Sequence, residues 1–296
     1  MSAPPAQARS VGLGDTVPVS TARRDLRTVA IVLVWIPAVL WLDRTASPLA
    51  QLLLGAGTWL LLLTLLRAEA PLVRVQTGVV IAIATVIEYV FSGWLGVYVY
   101  RLDEVPAYVP PGHGLVYLAA FAFARLPAVR RHARLAVTLT VVVATAWAFW
   151  GLLISDRPDV LGFFWYLCLL AFLRWGRSTL LYVGAFVVVS YLEILGTAWG
   201  VWAWAERDTI LGWVPMGNPP SIAAGGYGWF DLYAVMLAPA ILDRWYAWRR
   251  RRPAGSAQRG DDGVMEQAVG GDAAAAVGPV DAVDAREPAA RLGDHQ

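Results

Sequence analysis

The chain has no lysine, one cysteine and three histidines in 296 residues, and only 16% of it is charged. The missing lysine leaves arginine as the sole basic residue besides histidine, a trait of GC-rich coding more than of chemistry. A lone Cys168 excludes both a disulfide framework and a cysteine metal cluster. His113, His132 and His295 are too few for a histidine-rich metal site. No nucleotide-binding loop, zincin helix, nucleophile elbow or metal-spaced His/Cys set occurs. No cofactor is therefore expected, and nothing points to nucleic acid.

What the chain has is long apolar runs, 58% hydrophobic residues overall. A soluble domain has no core large enough for so many, so the composition predicts an all-α, polytopic integral membrane bundle. Eight spans are expected, near 28–42, 49–66, 75–100, 112–124, 135–154, 160–173, 179–204 and 223–242. Arginines collect at alternate connections: Arg23, Arg24 and Arg27; Arg67 and Arg74; Arg125, Arg130, Arg131 and Arg134; Arg174 and Arg177; Arg249 to Arg252. The positive-inside rule then puts both termini in the cytoplasm, in a plasma (inner) membrane protein. Residues 1–26 and 253–296 lack apolar periodicity and are expected to be disordered cytoplasmic segments.

One phrase is written twice. "VPAYVPPGHG" (105–114) and "VPMGNPP" with "GGYG" (214–228) share Val-Pro-x-x-x-Pro-Pro followed by Gly-aromatic-Gly. Each follows a span that contains a glutamate and ends in aromatics: Glu88 before "WLGVYVY", Glu193 before "AWGVWAW". The matched order predicts a duplication, two parallel four-helix repeats over 27–125 and 134–244. Eight residues separate Glu88 from Gly96, but seven separate Glu193 from Gly200, and the second loop is longer. The proline phrase is expected to be a stiff, extended, non-helical loop.

Glu88 and Glu193 fall deep in their spans and Asp231 lies early in the last one. A carboxylic acid taken out of water is tolerated only when neutral or partnered, and no arginine lies within these spans to pair with it. The three acids, with His113 at a helix mouth, are the candidate catalytic set: proton donor, acceptor and cation stabiliser. Tyr98, Tyr100, Tyr117, Trp199, Trp202, Tyr227 and Trp229 are the candidate substrate-binding residues, because aromatic rings stabilise a cation or pack along a polyene. Other roles remain open. The acids could bond to Ser92, Ser190 or Thr197 and hold helices together, and the aromatics could form an interfacial belt.

"EILGTAWGVWAW" has the form Glu-x-x-Gly-x-x-x-Gly followed by aromatics, and it resembles membrane carotenoid hydratase-type biosynthesis proteins. Glu88 together with Asp231 is similar to the acid pair of integral-membrane terpene cyclases. Both resemblances imply an acid that protonates an isoprenoid alkene or epoxide, with water or an internal alkene capturing the cation. The expected function is acid-initiated chemistry on a membrane lipid or isoprenoid. The rival expectations are a proton-coupled transporter or flippase, and a non-catalytic membrane subunit.

Overall fold

The computed structural model describes residues 19–251, with side chains from residue 21. Eight helices of sixteen residues or more and one short helix occur among them. They are α1 (Val19–Asp43), α2 (Pro48–Leu66), α3 (Pro71–Glu88), α4 (Val109–Arg125), α5 (Pro127–Arg131), α6 (Ala133–Leu153), α7 (Val160–Trp175), α8 (Thr179–Ala198) and α9 (Ala224–Arg251). Two short strands, β1 (Tyr98–Tyr100) and β2 (Trp202–Trp204), pair antiparallel. Among the described residues five stretches are long and apolar enough to cross a membrane: Thr21–Asp43, Pro48–Leu66, Pro71–Trp94, Ala133–Leu153 and Thr179–Ala198. The chain is thus built as a helical membrane protein.

Local chemistry sets the ends of the helices. Pro48 and Pro71 open α2 and α3 in the first turn, where a missing N–H costs nothing. Ser47 caps α2 by accepting from Ala50 N, and Asp159 caps α7 by accepting from Gly162 N. The outer faces are dominated by apolar side chains such as leucine and valine: Leu53 on α2 is 67% exposed and Val142 on α6 is 57% exposed. Such faces suit lipid. By contrast α4 and α8 are buried along most of their length. They cross closely at Gly184, where a Cβ would stand 2.5 Å from the Ala120 carbonyl oxygen. Small residues allow that approach.

Polar ties fix the two ends of α1. At one end Arg125, from the last turn of α4, grips Glu69 through both terminal nitrogens (2.8 and 2.9 Å) and Asp25 at 2.7 Å. Arg24 joins the same cluster. At the other end Asp43 accepts from Gln51 (2.6 Å), Tyr108 (2.9 Å) and Arg101. These bonds bring β1 and the start of α4 to the Asp43 end.

Four expectations need correction. Residues 19–26, expected to be disordered, are the first turns of α1; residues 1–18 and 252–296 lie outside the described residues. The last helix runs on to Arg251, past the expected 242. The spans expected to continue to Tyr100 and Trp204 instead leave the helix early. Gly96 (φ +62°) and Gly200 (φ +68°) turn the chain out, and the aromatic tripeptides behind them become β1 and β2. Finally, Pro110 and Pro111 do not form an extended loop. They sit in the first turn of α4, which accepts proline, while the second copy of the phrase stays irregular.

Candidate functional site: two acids under one aromatic ribbon

The ribbon places the chemistry. Side chains alternate along a strand, so Tyr98 and Tyr100 share one face of β1, and Trp202 and Trp204 share one face of β2. In register, Tyr98 faces Trp204, Val99 faces Ala203 and Tyr100 faces Trp202. Flanking bonds extend the match: Arg101 N donates to Val201 O, and Ala205 N donates to Val97 O, both at 3.0 Å. The Tyr98 and Trp204 rings lie 4.6 Å apart, and those of Tyr100 and Trp202 lie 6.1 Å apart.

Each glutamate is held by its own strand. Tyr98 and Tyr100 both donate to Glu88 Oε2, at 2.9 and 2.8 Å. Trp202 and Trp204 both donate through Nε1 to Glu193 Oε2, at 3.1 and 3.2 Å. Both acids are buried. The one-residue excess between Glu88 and Gly96 coincides with a π-helical turn over Tyr89–Trp94, which ends α3. A π turn is how a helix takes up a single extra residue. Burial and the adjoining Glu88 push the Tyr98 and Tyr100 hydroxyls well above the usual phenol range, so both remain donors.

Glu88 has one further partner. His113 Nε2 lies 2.8 Å from Oε1. The imidazole stacks on Tyr227 (centroids 5.4 Å apart, planes at 25°) and meets Phe230 edge-on at 5.8 Å. Its other nitrogen, Nδ1, is buried with no protein partner among the described residues. When a neutral ring donates Nε2–H to Glu88, Nδ1 is an open acceptor; only the doubly protonated ring has an Nδ1–H to give. Glu193 differs. Both of its donors are indoles, and an indole N–H cannot accept, so that carboxyl is an acceptor to its cage.

A cavity of about 370 Å³ joins these groups. Glu88, Glu193, His113, Tyr98, Tyr100, Trp202, Tyr227 and Trp229 all line it. Its remaining wall is mostly apolar, including Trp35, Ile36, Val39 and Leu40 from α1, Leu161 and Trp165 from α7, and Met216 from the second proline loop.

Asp231, Tyr117 and Trp199 are not on this wall. Asp231 lies one helical turn beyond Tyr227, buried, with Oδ2 unpartnered; the Tyr117 hydroxyl is likewise buried and unpartnered. Trp199 packs edge-on against Trp41 at 5.5 Å. Among the described residues no serine or threonine bonds to a carboxylate of the pair: Thr197 donates to the Glu193 main-chain oxygen, and Ser190 Oγ has no partner there.

Sequence reasoning missed Trp204 as a site residue, along with Trp35 and Trp165. Trp204 is two residues from Trp202, a spacing that shares a face only in a strand. Among the described residues no group of three metal-binding side chains occurs. No protein-family model matches the chain, and no curated protein or solved structure matches it either.

Proposed function

We propose that the protein is an integral membrane enzyme that acts on a hydrophobic isoprenoid or lipid by acid-initiated chemistry, such as hydration or cyclisation. One observation carries this reading: a buried carboxyl–imidazole pair, Glu88–His113, whose second nitrogen has no partner among the described residues, set in the wall of an aromatic-lined cavity. In this scheme Tyr98 and Tyr100 hold Glu88, whose carboxylate accepts from the Nε2–H of a doubly protonated His113. The imidazolium transfers its Nδ1 proton to an alkene carbon or epoxide oxygen and is left neutral, with Nε2–H still on Glu88. The alkene π pair forms the new C–H bond, or the epoxide C–O bond breaks, and an adjacent carbon becomes cationic. Aromatic faces and the Glu193 carboxyl stabilise that cation. Water or an internal alkene then captures it, and the proton released returns to the site. No redox partner is needed.

Two companion readings belong with it. The segments around Glu88 and Glu193, with their matching glycines, strands and cross-bonds, are read as copies within an eight-span duplicated bundle. Both termini are placed in the cytoplasm, on the arginine-rich side of a plasma membrane.

The test is nonpolar metabolite profiling by mass spectrometry. A strain lacking the gene is complemented with wild type, Glu193→Gln or His113→Gln, and protein level is measured in each. The expected result is a lipid product seen with wild type and lost with well-expressed variants, with its precursor accumulating. Identical profiles in all strains would overturn the enzyme reading and favour proton-coupled transport.

A further inference from the structure

The two matched segments part company where they leave the ribbon. Val105 follows Tyr100 by five residues, whereas Val214 follows Trp204 by ten. The added length is a built turn. Asp208 accepts from Ile210 N (2.8 Å) and Leu211 N (2.9 Å) through Oδ1, and from Gly212 N (3.1 Å) through Oδ2. Gly212 takes φ +75°, and Asp208 N donates to Val214 O at 2.8 Å. A bridge between Arg207 and Pro215 closes the base. The backbone N–H groups, that of Leu211 foremost, hold the Asp208 carboxyl below the ordinary aspartate range.

This turn points apolar side chains outward. Ile210, Leu211 and Trp213 are 61%, 61% and 66% exposed. A short polar turn would close the chain as well, so the outward isoleucine, leucine and tryptophan call for an apolar neighbour. Ile210 also lines the cavity, as does Asp208. Ile210 therefore stands on the rim, with one side toward the cavity and the other toward the surroundings.

We propose that this turn is a lipid-embedded portal. Ile210, Leu211 and Trp213 lie among the bilayer lipids of the leaflet on the ribbon side, and the hydrophobic substrate passes Ile210 laterally from that leaflet into the cavity. The proposal rests on the cavity being the site for such a substrate. The occupant is bilayer lipid because the turn continues directly from membrane-spanning α8 through β2, and because it sets exposed Ile210, Leu211 and Trp213 beside exposed Glu206 and Arg207, the apolar-beside-charged arrangement, with a tryptophan, of a membrane interface.

Two measurements test it, neither of which needs turnover. First, Cys168→Ser leaves no thiol, so a single cysteine at Leu211, or at Ile210 as a second position, takes a nitroxide in liposomes. Power saturation compares oxygen, which partitions into lipid, with a water-soluble nickel chelate. The label at 211 should favour oxygen, while a label at exposed Asp103 on the shorter loop should favour nickel. Equal nickel access at 211 and 103 would overturn the proposal. Second, a polyene fatty acid in the liposomes serves as a fluorescence acceptor for the cavity tryptophans. Leu211→Asp with Trp213→Asp, neither of which lines the cavity, should slow its uptake by roughly tenfold while leaving final occupancy in detergent unchanged. Unchanged uptake would sink the portal. A failed enzyme reading would show separately, as an unaltered metabolite profile.

Discussion

Glu88→Gln separates chemistry from fold at this site. The substitution keeps the size of the side chain and one carbonyl oxygen. That oxygen can still accept from Tyr98 and Tyr100, which now bond at 2.9 and 2.8 Å. The new amide N–H meets His113 Nε2, which accepts once the ring proton moves to Nδ1. The hydrogen-bond count is preserved, and only the negative charge beside the imidazole is lost. A hydrogen bond to a charged group contributes about 1.5–3 kcal/mol, which is roughly a tenfold to hundredfold change in rate when it acts on the proton donor. Product formation should fall by that factor at equal protein level. Thermal stability in detergent should shift by less than about 1 kcal/mol. The double variant Tyr98→Phe, Tyr100→Phe should do the reverse: it strips both donors from a buried oxygen and costs about 1–3 kcal/mol of stability. The assays are product yield by mass spectrometry and a thermal melt on the same preparations. A Glu88→Gln protein with product formation within about twofold of wild type would refute the assignment of Glu88 to the proton-transferring pair.

Three further outcomes follow from the geometry. Arg125→Met leaves buried Asp25 and Glu69 with only the part-exposed Arg24 of this cluster and should cost about 3 kcal/mol, read by denaturant or thermal unfolding; a loss under about 1 kcal/mol would show that the cluster is solvent-relaxed. Gly96→Ala and Gly200→Ala meet no atom within 4 Å, so each should cost only the left-handed backbone penalty of about 1–2 kcal/mol; a larger loss at either would reveal a crowded turn. The Tyr98, Tyr100 and Tyr108 hydroxyls are pushed up by burial and then by neighbouring carboxylates. A raised folded value means the stabilisation is complete below the unfolded phenol value near about 10 and is lost as pH rises beyond it. Melting temperature should therefore drop above that pH, and less so in Tyr98→Phe; a flat profile would count against burial of these hydroxyls.

Much of the site was legible in the sequence because its signals were chemical. A carboxylate in an apolar run is costly enough to stand out, and that alone singled out Glu88 and Glu193. The paired glycines, Gly96 and Gly200, stood out by their shared context. What stayed hidden was conformational. "YVY" and "WAW" sit at the ends of continuous apolar runs, where period two and period 3.6 cannot be told apart. Read as helix, Trp202 and Trp204 point to different sides; as strand, they point together, and Trp204 becomes a ligand of Glu193. The same ambiguity hid the role of Pro110 and Pro111, since a proline pair breaks a helix interior but opens a first turn. Asp231 groups with the glutamates on chemistry, but α9 leaves it off the cavity wall although its neighbours Trp229 and Phe230 line it. Nothing local in "GGYGWFDLY" encodes that offset.

The three-residue ribbon also has a mechanical meaning. Tyr98 and Trp204, which bind different acids, are partners in one register, and the flanking bonds Arg101–Val201 and Ala205–Val97 brace both sides of it. A slip of one residue in either strand would turn that strand's two donors away from its acid and present Val99 or Ala203 instead. Neither carboxyl can lose its cage by fraying of its own strand without breaking the bonds that brace the other strand. The two acids are yoked, and the amides of Arg101 and Ala205, on opposite strands and some hundred residues apart, should exchange with solvent as a single cooperative unit.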